Sequence, residues 1–209
     1  MRSYFFYLLC LFAVISPLRG QSPFNSFTLK SEIKKHLPAS RSLSDSQLMA
    51  LAKGEIISQV QVRSKEKTQS LDLWVGGVHP QNCKRALRKI AHYESYPELL
   101  SFIKKSQYHD EHQRWTLKLD HVLMPFAMYL DFKIPRIKKE GSYSFTFEKG
   151  FLTGLQGQVI AQELNSQCML SLSGQWSGPH SKIPDIIFST FVQTLAELGL
   201  KNLIRSTKI

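Results

Sequence analysis

The feature that most constrains this fold is a change of hydrophobic period near the C-terminus. Before Gly178-Pro179, much of the chain alternates apolar and polar residues, as strands with one buried face do. After it, IPDIIFSTFVQTLAELGLKNLIR repeats apolar residues at helical spacing. Phe188, Phe191, Leu195 and Leu198 share a stripe, with Ile187 and Leu203 beside it. One long amphipathic helix closing a run of strands points to an α+β protein.

Working back from that helix, six strand candidates cover residues 104–109, 114–122, 128–137, 142–148, 155–164 and 168–176. Turn signals HDEH, MP, KKEG, KGFLTG and NSQ separate most of them. Further upstream, EIISQVQVR alternates and LDLWVGGVH follows after a polar turn. Pro80 then stands where a helix can start, and QNCKRALRKI places Cys83, Ala86, Leu87 and Ile90 on one face. A second short helix is expected over 93–103, with Pro97 tolerated in its first turn. SDSQLMALAKGE reads as another helix. Ser44 and Gln47 sit at capping-box positions and Gly54 closes it. Residues 21–43 carry Pro23, Pro38 and many serines, and are expected to be a linker or loosely packed arm. The expected fold is a curved antiparallel sheet wrapped around the long C-terminal helix, with two short helices after the first strand. Such a grip leaves room for a ligand between sheet and helix.

The N-terminus has a separate character. Met1-Arg2 precedes the uncharged apolar run SYFFYLLCLFAVIS, and Pro17, Arg19 and Gly20 break it. This is the layout of a secretory signal peptide over residues 1–20, with a run too short to span a bilayer comfortably. Leu18 is not the small residue the cleavage rule wants, so an uncleaved N-terminal anchor stays open. The expected location is exported: periplasmic in a bacterium, secreted otherwise. Removing Arg2 and Arg19, and no acids, lowers the net charge from +11 to +9. A basic exported chain suits an anionic membrane surface better than nucleic acid. Cys83 and Cys168 remain after cleavage. Export permits a disulfide between them, but buried free thiols are the reading favoured here.

Three stretches carry a family resemblance: LAKGEI before the strands, HYESYPELLSFIKKSQ, and GSYSFTFEKGFLTGLQGQ followed by QCMLSLSGQW. From about Gly54 to Arg205 the chain resembles the START-like, or SRPBCC, superfamily, most nearly its polyketide cyclase/coenzyme Q-binding branch and related lipid-transport domains. His92 stands where that family's segment carries Asp, and Leu99 where it carries Phe. The resemblance implies a START-like ligand-binding domain over 55–209, behind an arm with a short helix over 21–54. It also implies an elongated apolar pocket, one end of which the short helix pair closes. That would account for the surplus of apolar side chains in HYESYPELLSFIKKSQ.

On that reading, Tyr96 and Leu99 of the helix pair face a ligand. So do Trp115 and Leu117 of strand 114–122, and Tyr143, Phe145 and Phe147 of strand 142–148. Val159 and Leu170 come from the next two strands, and Ile187, Phe191 and Leu195 from the last helix. The alternative for each is plain core packing. In HVLMPFAMYLDFKIPRIKK, Met124, Phe126, Met128 and Tyr129 precede Lys133, Arg136, Lys138 and Lys139. Two strands with a solvated charged end are favoured there over a bilayer contact. HDEH lies at a turn and is expected to face solvent rather than hold a metal.

No nucleophile, metal or phosphate-loop motif is present, so no catalytic residue and no cofactor are assigned. The reading is an exported, monomeric binder or carrier of a hydrophobic small molecule: a lipid, quinone or sterol-like compound. Peripheral contact with an anionic membrane accompanies it, without nucleic acid. Two alternatives stand beside it: a cyclase or dehydratase on a polyketide-like substrate, and an envelope interaction protein whose core is filled.

Overall fold

The computed structural model of the protein describes residues 26–38, 41–120 and 127–207. The stretch 1–20 read as a signal peptide and the HVLMPF end of the mixed apolar–basic segment lie outside the described residues.

Among the described residues eight antiparallel strands form one sheet, in the order β1-β2-β8-β7-β6-β5-β4-β3. β1 is Ile57–Lys65 and β2 Thr68–His79. Then come β3 (Ile103–His109), β4 (Arg114–Leu119), β5 (Met128–Lys133), β6 (Gly141–Lys149), β7 (Gln156–Leu164) and β8 (Gln167–Pro179). Helices α1 (Ser26–His36) and α2 (Asp45–Ala52) precede the sheet. α3 (Cys83–Ile90) and α4 (Tyr96–Leu99) lie between β2 and β3, and α5 (Asp185–Thr207) is the last described element. This is the expected α+β helix-grip. The short helices follow the second strand of the opening hairpin rather than the first strand.

The strands sort their side chains by parity. On β2, Leu71 and Leu73 enter the main core, whereas Trp74 and Val78 enter a second cluster on the outer face. A strand covered on both sides reads as a continuous apolar run, and this is why LDLWVGGVH stops alternating halfway. The outer cover is α1 and α2, through Leu29, Ile33, Leu48 and Leu51. The arm over 21–43 is therefore not loosely packed where it is described. Ile33 is fully buried, because α1 lays its short apolar stripe over Trp74, Leu164 and Met169. The α2 capping box forms as read. Ser44 accepts from the Gln47 amide and the Gln47 side chain accepts from the Ser44 amide. α3 starts later than Pro80, at Cys83, with Asn82 as its cap.

α5 lies across the inner face and is fixed at both ends. The Asp185 carboxylate accepts from the Ser64 amide (2.9 Å), the Ser64 hydroxyl (2.6 Å) and Gln69 Nε2 (2.8 Å) of the β1–β2 hairpin. At the far end His79 Nε2 and Thr207 Oγ1 meet at 3.1 Å, both fully buried. Phe188 is buried against Phe151 and Trp176. Leu198 falls off the stripe and is 40 % exposed.

Cys83 and Cys168 form a disulfide across 85 residues of sequence. This corrects the free-thiol reading. The register His79↔Cys168 sets the start of β8 beside the end of β2, from which the chain turns directly into α3. Neither cysteine's periodicity could show that proximity.

Candidate functional site

Between α5 and the inner face of the sheet lies a cavity of about 360 Å³. One wall is aromatic: Trp115, Phe132, Phe145 and Phe147 from β4, β5 and β6, with Tyr93 and Tyr96 at its end. The opposite wall is α5, through Phe191, Val192, Leu195, Ala196, Leu200 and Leu203. Leu73, Val75, Leu170 and Leu172 form the floor on β2 and β8. Leu100, Phe102 and Ile103 close the side next to α4.

The aromatic wall is a continuous chain of ring contacts. Tyr93 stacks on Trp115 at 4.1 Å and Tyr96 meets Trp115 edge-on at 4.9 Å. Trp115 meets Phe132 edge-on at 4.9 Å, and Phe132 stacks on Phe147 at 4.9 Å. The polar ends of these rings point out of the cavity. Tyr96 Oη donates to the Ile90 carbonyl (2.9 Å). Tyr93 Oη donates to the Pro135 carbonyl and accepts from the Ile137 amide, each at 3.2 Å. Trp115 Nε1 donates to Ser106 Oγ (2.7 Å). Burial pushes both tyrosine hydroxyls well above the ordinary phenol range, so they stay protonated donors.

Behind the wall sits Arg136. Its guanidinium lies 4.4 Å from the Tyr108 ring centroid and 5.5 Å from that of Tyr93. Nη2 pairs with Glu94 at 2.6 Å and Asp110 at 3.0 Å, and Nη1 donates to the Ala91 carbonyl at 2.7 Å. Hydrogen bonds from Arg136 hold the Glu94 and Asp110 carboxyls below their usual range. Arg136 therefore does not belong to the solvated basic cluster expected from the sequence, whereas Lys133, Lys138 and Lys139 are exposed. Asp110 of HDEH is engaged by the same guanidinium. Among the described residues no three His, Cys, Asp or Glu side chains gather as metal ligands would.

Nine of the twelve residues proposed to face a ligand border the cavity: Tyr96, Trp115 and Leu117; Phe145, Phe147 and Val159; Leu170, Phe191 and Leu195. Three do not. Leu99 packs on the core from the side, and Tyr143 turns its hydroxyl to the Lys139 carbonyl at 2.7 Å. Ile187 is 58 % exposed, because one helical step of about 100° carries it off the face that Phe188 buries. Sequence reasoning placed Ile134 and Ile137 within a strand that ends at Lys133. They reach the cavity from an irregular extension with no period to reveal them. Tyr93 and Phe102 were visible only as surplus apolar surface in HYESYPELLSFIKKSQ.

A wider depression of about 880 Å³ lies on the outer face. The strand register puts Gln61, Asp72, Gln175 and Gln156 in one row across four strands there. Arg41 reaches over it to pair with Asp72 at 2.7 Å. Solvated amides and hydroxyls are what an uncovered sheet face ordinarily presents, so the apolar cavity is the better candidate site.

Solved structures share this architecture. A START superfamily protein from Mycobacterium smegmatis superimposes with a TM-score of 0.53 at 10 % identity, covering 74 % of this chain and 98 % of that one. The Zhui aromatase/cyclase of a Streptomyces species gives 0.51 at 10 % identity, over 66 % and 94 % of the two chains. A major latex-like protein from Panax ginseng gives 0.50 at 10 % identity, over 66 % and 97 %. No protein-family model and no curated protein matches the sequence. The chain has the START-like, or SRPBCC, helix-grip fold, with α1 and α2 packed on the outside of the sheet.

Proposed function

We propose that this protein binds or carries a hydrophobic small molecule in the cavity beneath α5. The observation that carries the reading is the cavity itself. About 360 Å³ of space is walled by apolar side chains, and the polar atoms of its rings are turned outward to partners elsewhere. A filled-core interaction protein does not account for that space. A cyclase or dehydratase needs polar groups converging on a substrate, and the aromatic wall presents none. The fold is shared with a START superfamily protein and with an aromatase/cyclase, so fold alone does not choose between them.

The expected site of action is outside the cytoplasm. The basic-then-apolar layout of residues 1–20 and the buried Cys83–Cys168 disulfide both favour an oxidising compartment. No helix among the described residues is long and apolar enough to cross a membrane. The excess of basic residues supports a weak, salt-sensitive association with anionic vesicles. Equal binding to neutral and anionic vesicles would remove that part of the proposal. Native mass spectrometry of the purified protein, with organic extraction of whatever it retains, tests the central reading. A bound apolar compound released on denaturation is the expected result. Protein recovered empty, and unable to take up any neutral apolar probe, would return the filled-core reading.

A further inference from the structure

The cavity has more character than apolarity. Among the described residues its lining contains no charged side chain. The polar side-chain atoms among its described lining residues belong to Tyr93, Tyr96, Trp115 and Ser171. The first three bond outward, and Ser171 alternates with the inward-facing Leu170 and Leu172, so its parity is that of the outer face. A carboxylate, phosphate or sulfonate entering this space would leave its water and find no donor. One long wall is built of aromatic rings in edge-to-face and stacked contact, from Tyr96 through Trp115 and Phe132 to Phe147. Against such a wall a flat π-system gains ring–ring attraction beyond the burial that any alkyl chain would gain. The volume lies near the lower end of small-molecule pockets, roughly 300–1,000 Å³, which leaves no room for a two-chain lipid.

We propose that the cavity selects uncharged, flat, π-rich molecules of single-chain size and rejects anionic ones, fatty acids included. This rests on reading the cavity as a ligand site. The ligand is held without any salt bridge or hydrogen bond from the cavity walls. No described basic residue lines the cavity, so the excess of basic residues plays no part in retention. Flatness and neutrality are read by shape, by the ring wall and by the cost of burying an unpaired charge.

A matched pair of probes tests this on the intact protein. N-phenyl-1-naphthylamine is neutral, and 8-anilinonaphthalene-1-sulfonate adds one sulfonate to the same rings. Titrations in about 0.5 M salt screen surface attraction for the anion to within roughly 5 Å. The neutral probe should bind at least about tenfold tighter than the sulfonate. Trans-stilbene should displace it better than 1-hexadecanol does, and palmitate at pH 7.5 should not displace it. Trp115→Leu should weaken stilbene about fivefold by removing one ring contact, and weaken 1-hexadecanol less. The probe pair decides the question of charge even if that variant folds poorly. A sulfonate or palmitate that binds as tightly as the neutral probe overturns charge rejection while the cavity remains a ligand site. A parent protein that prefers 1-hexadecanol to stilbene overturns the preference for flat rings. If none of these compounds binds, this inference and the proposed function fall together.

Discussion

The rings of Tyr93 and Trp115 lie 4.1 Å apart and 8° from parallel, so a residue of the turn between α3 and α4 and a residue of β4 form one surface at the end of the cavity. The other side of Tyr93 faces the Arg136 guanidinium, whose charge is in turn balanced by Glu94 and Asp110. A polar cluster outside the cavity thus sets the position of an apolar wall inside it.

Arg136→Ala should lower stability by about 1–2 kcal/mol, through lost ring contacts and ion pairing. Arg136→Lys should recover little, because an ammonium cannot span Glu94, Asp110 and the Ala91 carbonyl as the planar fork does. Chemical denaturation of the two variants beside the parent checks this. Equal stability of the lysine variant and the parent would mean that charge alone matters.

The same cluster gives a pH dependence with a defined sign. The folded carboxyls of Glu94 and Asp110 lie below their ordinary values because Arg136 bonds their ionised forms. Their contribution is complete above the ordinary carboxylate value of about 4, and is lost as pH falls below it. Tyr93 and Trp115 emission should report loosening in that acid range. In Arg136→Ala the loss should be shallower, and an unchanged acid profile in that variant would dissociate the wall from the cluster.

Phe145 and Phe191 both border the cavity, yet they should respond differently. Phe191 faces open space from α5, so Phe191→Ala should cost only about 1–2 kcal/mol of lost burial. Phe145 also covers the backbone where β7 meets β8. A Cβ placed on Gly157 would lie 2.7 Å from its ring and 2.0 Å from the Ser173 carbonyl oxygen. Phe145→Ala should therefore carry a core penalty of about 3 kcal/mol. Equal costs, read from denaturation midpoints at constant slope, would contradict the placement of the void.

Replacing both Cys83 and Cys168 with serine removes a link across 85 residues, and should destabilise the fold by about 4.5 kcal/mol on the chain-entropy argument. Hydrogen exchange should locate the loosening in α3 and the start of β8. A double variant as stable as the oxidised parent would show that packing alone holds α3 on the sheet.

Ile33→Ala separates a packed arm from a loose one. A fully buried isoleucine over Trp74 and Met169 should cost about 3 kcal/mol on truncation. A change within about 0.5 kcal/mol is what a surface position would give.

The sequence alone determined the elements with a clear period. Alternation located β6, β7 and β8, helical spacing located α5, and Ser44 with Gln47 marked the start of α2. Those signals are local, since each side chain's direction follows from its neighbours along the chain. Of the nine proposed wall residues that border the cavity, all but Tyr96 lie on faces that alternation or helical spacing defines. That those faces, and Tyr96, line a pocket was implied by the family resemblance. The tertiary structure decided what periodicity cannot encode. An apolar face must be buried, but its spacing does not say against what. Hence α1 came out as cover for Trp74 rather than as a linker, and Leu198 and Ile187 fell outside the stripe. The pairing of Cys83 with Cys168 depends on β2 and β8 lying side by side, a contact between segments far apart in the chain. Arg136 looked like one more basic residue until Tyr93, Tyr108, Glu94 and Asp110 converged on it from two segments. The cavity was decided the same way: apolar residues that could have met in a solid core are instead held apart, by β2 and β8 beneath α5 and by rings anchored from behind.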